Sequence, residues 1–304
     1  MLISPDHLYP EVVLQHTCLL GEGPVWDANK KSILWIDLLN GIIHEFHTQD
    51  QSHHTLELGD IVGAVVLTQS GNYLAAHKSG LLIIDRTTGK IHFIHHPEKH
   101  LPSNRFNDGK CDPKGRFWVG TMSITEEAGA GSMYMLDSSM TCSKKFEGVT
   151  ISNGLVWSAD HKTFYYIDTP TYQVVAYDYD LITGDISKKR TIIRIPTSEG
   201  YPDGMTIDTD GMLWIAHWDG SQVARWNPST GKKIFSIVLP VDRVTSCTFG
   251  GDDLKDLYIT TARVGLNEKQ LAAQPLAGSL FVVKNSGFQG FSTIQFDDAG
   301  LKLV

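Results

Sequence analysis

One module recurs six times along this chain, and the recurrence decides its architecture. Each copy is a short polar turn, often with Asp or Gly, followed by a β-branched and aromatic run. The turns are Asp27-Ala28-Asn29-Lys30-Lys31, Gln69-Ser70-Gly71, Asp112-Pro113-Lys114-Gly115, Ser158-Ala159-Asp160-His161-Lys162, Asp208-Thr209-Asp210-Gly211 and Gly251-Asp252-Asp253-Leu254-Lys255. The runs after them cover residues 32–37, 72–76, 116–120, 163–168, 212–216 and 256–260. Copies are spaced by roughly 40 to 50 residues, the length of a four-stranded propeller blade. A second strand-like run follows, at residues 41–46, 80–85, 131–136, 172–178, 221–226 and 278–283, and turns such as Thr87-Thr88-Gly89-Lys90 then reverse the chain. Helical periodicity is confined to residues 267–273. The expectation is all-β: a single six-bladed β-propeller domain over residues 1–304, with a central channel. A closed ring needs its ends joined, so residues 10–20 are expected to pair with the C-terminal blade. A β-sandwich, or two smaller β domains, would leave the period unexplained.

Composition narrows the partners. The 304 residues are 41% hydrophobic and 20% charged with a net charge of -8, and no Lys/Arg stripe offsets that charge. Nucleic acid and anionic membrane are therefore not expected as partners. No apolar run approaches the roughly 20 residues that span a bilayer. Residues 1–6, Met-Leu-Ile-Ser-Pro-Asp, lack a basic stretch followed by an apolar one, so no secretory signal is read and a cytoplasmic location is expected. Cys18, Cys111, Cys142 and Cys247 form no CxxC pair; buried free thiols are expected, not a zinc knuckle or a disulfide framework.

In a propeller, residues 50 to 130 apart in sequence meet at one end of the channel. Four oxygen-bearing residues stand in similar Gly/Pro punctuation just before a copy of the module. They are Glu22 in Gly21-Glu22-Gly23-Pro24, Asn107 in Arg105-Phe106-Asn107-Asp108-Gly109, Asn153 in Ser152-Asn153-Gly154-Leu155 and Asp203 in Tyr201-Pro202-Asp203-Gly204-Met205. Each alone reads as an ordinary turn. Together they offer only hard oxygen donors, which suit Ca2+, Mg2+ or Mn2+ better than a His/Cys zinc site does.

These segments, with Gly115-Arg116-Phe117-Trp118-Val119-Gly120-Thr121-Met122 and Thr245-Ser246-Cys247-Thr248-Phe249-Gly250-Gly251, resemble the SMP-30/gluconolactonase/regucalcin family in order and spacing from about residue 20 to 283. The resemblance implies a six-bladed propeller with one divalent ion in the channel, Ca2+ first and Zn2+, Mg2+, Mn2+ or Fe2+ as alternatives. It implies ligation by Glu22, Asn153 and Asp203, substrate contacts from Arg105 and Asn107, and hydrolysis of a sugar lactone to its acid. The expected molecule is a monomer or weak homo-oligomer whose partner is a small sugar lactone. One motif departs from the family. Some members carry an acidic substrate contact shortly after Gly-Thr-Met; the aligned residue here is Thr125, and Glu126, with Glu127 beside it, is the candidate replacement. The following Ala128-Gly129-Ala130-Gly131 reads as a lid loop or a plain connection.

The expected reaction is attack of water on a polarised ester carbonyl, with Asp203 as general base or as the residue that orients the attacking group. A propeller esterase or phosphotriesterase, or a calcium-binding propeller without activity, are the other readings of the same ring. His217 follows a strand and is a candidate substrate contact, whereas His53-His54 and His95-His96 read as surface. No GxSxG supports a serine nucleophile, and Asp208-Thr209-Asp210-Gly211 lacks the downstream Glu of an EF-hand.

Overall fold

The computed structural model describes residues 8–301; residues 1–6, read above for a secretory signal, lie outside them. Six four-stranded antiparallel sheets follow one another. The chain begins with β1 (Glu11–Leu14) and then builds the first blade from β2 (Gly21–Asp27), β3 (Ser32–Asp37), β4 (Ile42–His47) and β5 (His53–Glu57). The second blade is β6 (Val62–Leu67), β7 (Tyr73–His77), β8 (Gly80–Ile84) and β9 (Ile91–His95). The third is β10 (Asn104–Cys111), β11 (Phe117–Ser123), β12 (Gly131–Leu136) and β13 (Cys142–Val149). The fourth is β14 (Ser152–Trp157), β15 (Thr163–Asp168), β16 (Gln173–Tyr179) and β17 (Ile186–Arg194). The fifth is β18 (Tyr201–Ile207), β19 (Leu213–Trp218), β20 (Gln222–Asn227) and β21 (Lys232–Val238). The sixth is β22 (Val244–Gly250), β23 (Asp256–Thr261) and β24 (Leu280–Val283), completed by β1, which pairs antiparallel with β24. The closure expected from residues 10–20 is thus present, and the six runs of the module are the second strands of the blades. The one α-helix described, α1 (Glu268–Ala273), starts with a capping box in which Asn267 and Gln270 satisfy each other's backbone N–H. No helix among the described residues is long and apolar enough to cross a membrane.

The second strands read as unbroken apolar runs because both of their faces are buried. Along β3, Ile33 and Trp35 point into the apolar cluster shared with the sixth blade, and Leu34 and Ile36 into the one shared with the second. Six such clusters lie between the six neighbouring pairs of blades. Aspartates at the module turns anchor this packing. Asp112 accepts from Arg116 Nε (2.6 Å), Trp118 Nε1 (3.0 Å) and Tyr179 Oη (2.7 Å). Asp208 accepts from Trp214 Nε1 (2.8 Å) and Arg225 Nε (2.6 Å). With these partners, the EF-hand-like Asp208 segment is a structural turn. All four cysteines are free thiols, three buried and Cys142 half-buried.

Every innermost strand slips its pairing register near one end. The slips fall between Glu22 and Val25, Val62 and Ala64, Phe106 and Gly109, Asn153 and Leu155, Pro202 and Met205, and Val244 and Ser246. Glu22, Asn107, Asn153 and Asp203 therefore do not occupy turns ahead of the strands. They sit inside the innermost strands, at bulges. Bulges and turns draw on the same Gly- and Pro-rich composition, which is why the punctuation was read as turns.

Candidate active site at the channel end

The bulges bring the expected residues together. A bulge inserts backbone into one strand and re-aims the side chain beside it, so Glu22, Asn107, Asn153 and Asp203 leave the pleat of their blades. All four are buried, with exposures of 8%, 7%, 5% and 6%. The glycine after Asn153 is required by the close approach of the next blade: a Cβ at Gly154 would stand 2.7 Å from the Asp203 carbonyl oxygen and 2.7 Å from Met205 Cβ.

Hydrogen bonds fix how each group points. Asn153 donates its Nδ2 to Thr169 Oγ1 (2.9 Å), and Thr169 donates to the Pro202 carbonyl (2.8 Å), so the fourth blade is tied to the fifth and Asn153 Oδ1 is turned toward Asn107, from which it accepts a long hydrogen bond. Asn107 donates Nδ2 to the Ser152 carbonyl (2.6 Å) and lies 3.4 Å from Asn153 Oδ1. Its own Oδ1 accepts from Arg105 Nη1 (2.6 Å), which also reaches the Phe106 carbonyl at 3.0 Å. Glu22 Oε2 accepts from the Gly23 backbone N–H at 2.9 Å.

The electrostatics are those of crowded carboxylates. Burial, with Asp108 beside it, pushes Glu22 up to about 8. Burial, then Glu22 and Asp108, raise Asp203 well above the ordinary carboxylate range. Asp108, absent from the residues singled out in the sequence, is raised to about 6 by burial, with Lys110 partly opposing. Burial lowers Arg105 to about 10 against the pull of Glu22, Glu126 and Asp203, which leaves it a cation at neutral pH. Among the described residues no ion pair reaches Glu22, Asp108 or Asp203. Buried like charges that no direct ion pair neutralises are costly. A hard oxygen set made of two carboxylates and one pinned amide, with excess negative charge, fits a divalent cation and would be relieved by one.

The remaining candidates are placed differently. Glu126 is exposed on the turn after β11, in a left-handed conformation with φ 57°, and its charge acts on Arg105. Thr125 is also exposed, its Oγ1 3.0 Å from Ser123 Oγ. The expected lid segment is tethered: Gly129 donates its N–H to Thr150 Oγ1 (3.2 Å), and the Ala130 carbonyl accepts from Asn104 Nδ2 (2.9 Å). His217 is not a channel residue. Its ring is fully buried, donates from Nδ1 to the Glu199 carbonyl (2.9 Å), accepts at Nε2 from Trp226 Nε1 (3.4 Å) and stacks on that indole. Burial holds it near 4 and neutral. The His53-His54 pair is part of β5, not a connection, and His53 is half-buried.

A cavity of about 360 Å³ continues down the channel from this ring. It is lined from all six innermost strands, by Val25, Val66, Lys110, Val156, Thr206 and Cys247 among others. Lys110 Nζ donates to the Met205 carbonyl at 2.8 Å, one level below the carboxylates. Gly23 and Asp108 are among its lining residues, whereas Glu22, Asn153 and Asp203 are not.

The model of the SMP-30/Gluconolactonase/LRE-like region matches residues 20–263. Regucalcin of Danio rerio is 39% identical over 282 residues, covering 92% of this chain and 95% of its own. Among solved structures, a calcium-binding protein, regucalcin, from Agrobacterium tumefaciens superposes with a TM-score of 0.91 at 29% identity, over 95% of this chain and 97% of that one. A luciferin-regenerating enzyme superposes with a TM-score of 0.90 at 28% identity, over 95% and 99%. With more than half its length matched and a ring of carboxylates and amides on the channel axis, this chain belongs to the SMP-30/gluconolactonase/LRE-like family.

Proposed function

We propose that the chain is a divalent-cation-dependent lactonase that opens an aldonolactone to the aldonic acid at the end of the channel. The observation that carries this is the buried Glu22–Asp203 pair: burial, with Asp108 beside them, raises both carboxyls, and no ion pair among the described residues closes on either although a charged Arg105 stands near. The family description names gluconolactonase, and the Agrobacterium relative is described as calcium-binding; both support the reading. Glu22, Asn153 and Asp203 would hold the ion, with Ca2+ the best match to their oxygens. When bound, the cation polarises an ester carbonyl and lowers the proton affinity of a nearby water.

The residues of the chain do the rest. Asp203 takes the proton of the attacking water. Engagement by a cation lowers a carboxylate's basicity, while burial beside Glu22 and Asp108 raises it, and the balance keeps Asp203 a usable base. The water oxygen adds to the carbonyl carbon, the ring C–O bond breaks, and the proton passes to the departing ring oxygen. Arg105 donates to the oxygen that gains charge, a contact strengthened by its poorly solvated position. Asn107, fixed by Arg105 and the Ser152 carbonyl, orients the sugar hydroxyls, and Glu126 meets them from the exposed turn.

The test is a panel of sugar lactones and one phosphotriester, followed by pH drop with wild type and Asp203→Ala. The expected result is lactone turnover that vanishes in the folded variant and in chelated wild type, and returns when a divalent cation is restored. A folded Asp203→Ala chain with unchanged turnover removes Asp203 from the mechanism. Full activity after exhaustive chelation removes the cation. Cation binding with no lactone turned over leaves a calcium-binding propeller.

A further inference from the structure

The segment that closes the ring carries a second constellation, outside the ring of channel carboxylates. Between β1 and β2 the chain passes from the sixth blade to the first through a tight turn in which His16 N–H donates to the Leu14 carbonyl (3.0 Å), with Gln15 and Thr17 exposed and His16 and Cys18 turned inward. This alternating burial puts His16 and Cys18 on one side. They meet His44 from β4 of the first blade, and one ligand atom from each of the three lies within 4.8 Å of the others. Cys18 and His44 are fully buried, while His16 is half-buried and offers the way in from solvent.

We propose that His16, Cys18 and His44 form a nitrogen- and sulfur-donor site for a divalent cation of the zinc type, which clamps the closing segment of the propeller to its first blade. Four observations support it. Cys18 Sγ and His44 Nε2 are 3.8 Å apart, long for a hydrogen bond but close to the edge of a zinc tetrahedron, which is about 3.6 Å for Zn–S near 2.3 Å and Zn–N near 2.05 Å. The far nitrogen of His44, Nδ1, lies 3.0 Å from His53 Nε2, so a hydrogen bond to His53 fixes the ring with Nε2 toward the thiol, the outer-layer arrangement that metal-binding imidazoles use. Trp35 stacks on His44 at 4.8 Å between centroids and donates its Nε1–H to Cys18 Sγ at 3.4 Å, a contact that favours a thiolate against the burial and the nearby Asp37 that push the metal-free thiol up to about 12. The His16 ring stands edge-on to His44 with centroids 4.6 Å apart, so a small rotation brings its nitrogen to the third corner.

Binding balances simply: the Cys18 thiol releases its proton to solvent, the thiolate and two neutral imidazoles hold the ion, and water takes the fourth corner. Soft and borderline ions prefer these donors and hard ions prefer the channel oxygens, so the two sites sort cations. The closing segment is held to the sixth blade by β1–β24 pairing and by Cys18 N–H to the Gly278 carbonyl (3.1 Å), and to the first blade by Leu19 and Leu20 N–H donating to Asp37 (2.9 and 3.1 Å); the ion would reinforce that second attachment.

The full-length protein, stripped with a chelator and titrated with Co2+, tests this. Wild type is expected to develop a near-ultraviolet thiolate-to-cobalt charge-transfer band, and Asp203→Ala, with the oxygen set broken, to keep it. Cys18→Ser is expected to lose the band and one equivalent of tightly held Zn2+. Cys18 is buried, so His16→Gln, at a half-buried position outside the strands, provides a second variant. It is expected to weaken Zn2+ binding at least tenfold, and to lose the rise in melting temperature that Zn2+, but not Ca2+, gives wild type. No charge-transfer band in wild type, or a band and a Zn2+ equivalent that survive both Cys18→Ser and His16→Gln, overturns the proposal.

Discussion

Stripping divalent cations from this protein should make its stability fall as pH rises, with Glu22 as one identifiable cause. Burial and the neighbouring Asp108 move the Glu22 carboxyl from 4.5 to about 8. Between those values the folded chain keeps a proton that the unfolded chain has released. An acid raised in the folded state therefore contributes stability that is complete below its unfolded pKa and is lost as pH climbs through the folded one. At about 1.4 kcal/mol per pH unit, the total loss is about 5 kcal/mol. Spread over a chain this long, whose melting entropy is about 2 cal/mol/K per residue, that is roughly 8 °C in Tm. The assay is calorimetric melting of chelated wild type and chelated Glu22→Gln from about pH 5 to about pH 9. The amide keeps the shape, cannot ionise, and relieves Asp203, one of whose raising influences is Glu22 itself. Wild type should melt progressively below the variant as pH rises, and saturating Ca2+ should lift wild type selectively. Parallel profiles for the two chains would refute the crowded-carboxylate account of the site.

Thr169→Val removes the hydroxyl that accepts from Asn153 and donates to Pro202; a cation titration should show affinity lower by about 10- to 100-fold in a chain that melts normally. Arg116→Met leaves Asp112 buried without its guanidinium, though still bonded to Trp118 and Tyr179; urea unfolding should report a loss of about 3 to 5 kcal/mol.

The ring of blades was readable from the chain because a period of polar turns and buried strands has few other solutions. The closure by residues near the N-terminus followed from the need to leave no open edge. The gathering of Glu22, Asn107, Asn153 and Asp203 was readable too, since equivalent places in a ring converge. Their local setting was not: a glycine such as Gly23, at φ 52°, serves a turn or a bulge equally well. Asp108 was hidden by Asn107, its neighbour in the same bulge, because only the register slip tells which side chain faces the axis. His217 carried no mark of the Trp226 and Glu199 contacts that occupy it. The His16–Cys18–His44 group had no readable spacing, because His44 approaches from another strand across the closure.

The six register slips also say something about how freely such a protein can change its chemistry. Repetition supplies six equivalent addresses around one axis, and they are not used alike. Four hold acids or amides. Of the other two, Gly63 is sealed, since a Cβ there would lie 2.4 Å from the Phe106 carbonyl carbon, and Thr245 commits its hydroxyl to the Gly21 carbonyl at 2.6 Å. Those two addresses are seams between neighbouring blades, whereas the four polar ones are writable corners. A new substrate can be met by rewriting corners one at a time, with the seams holding the ring shut throughout.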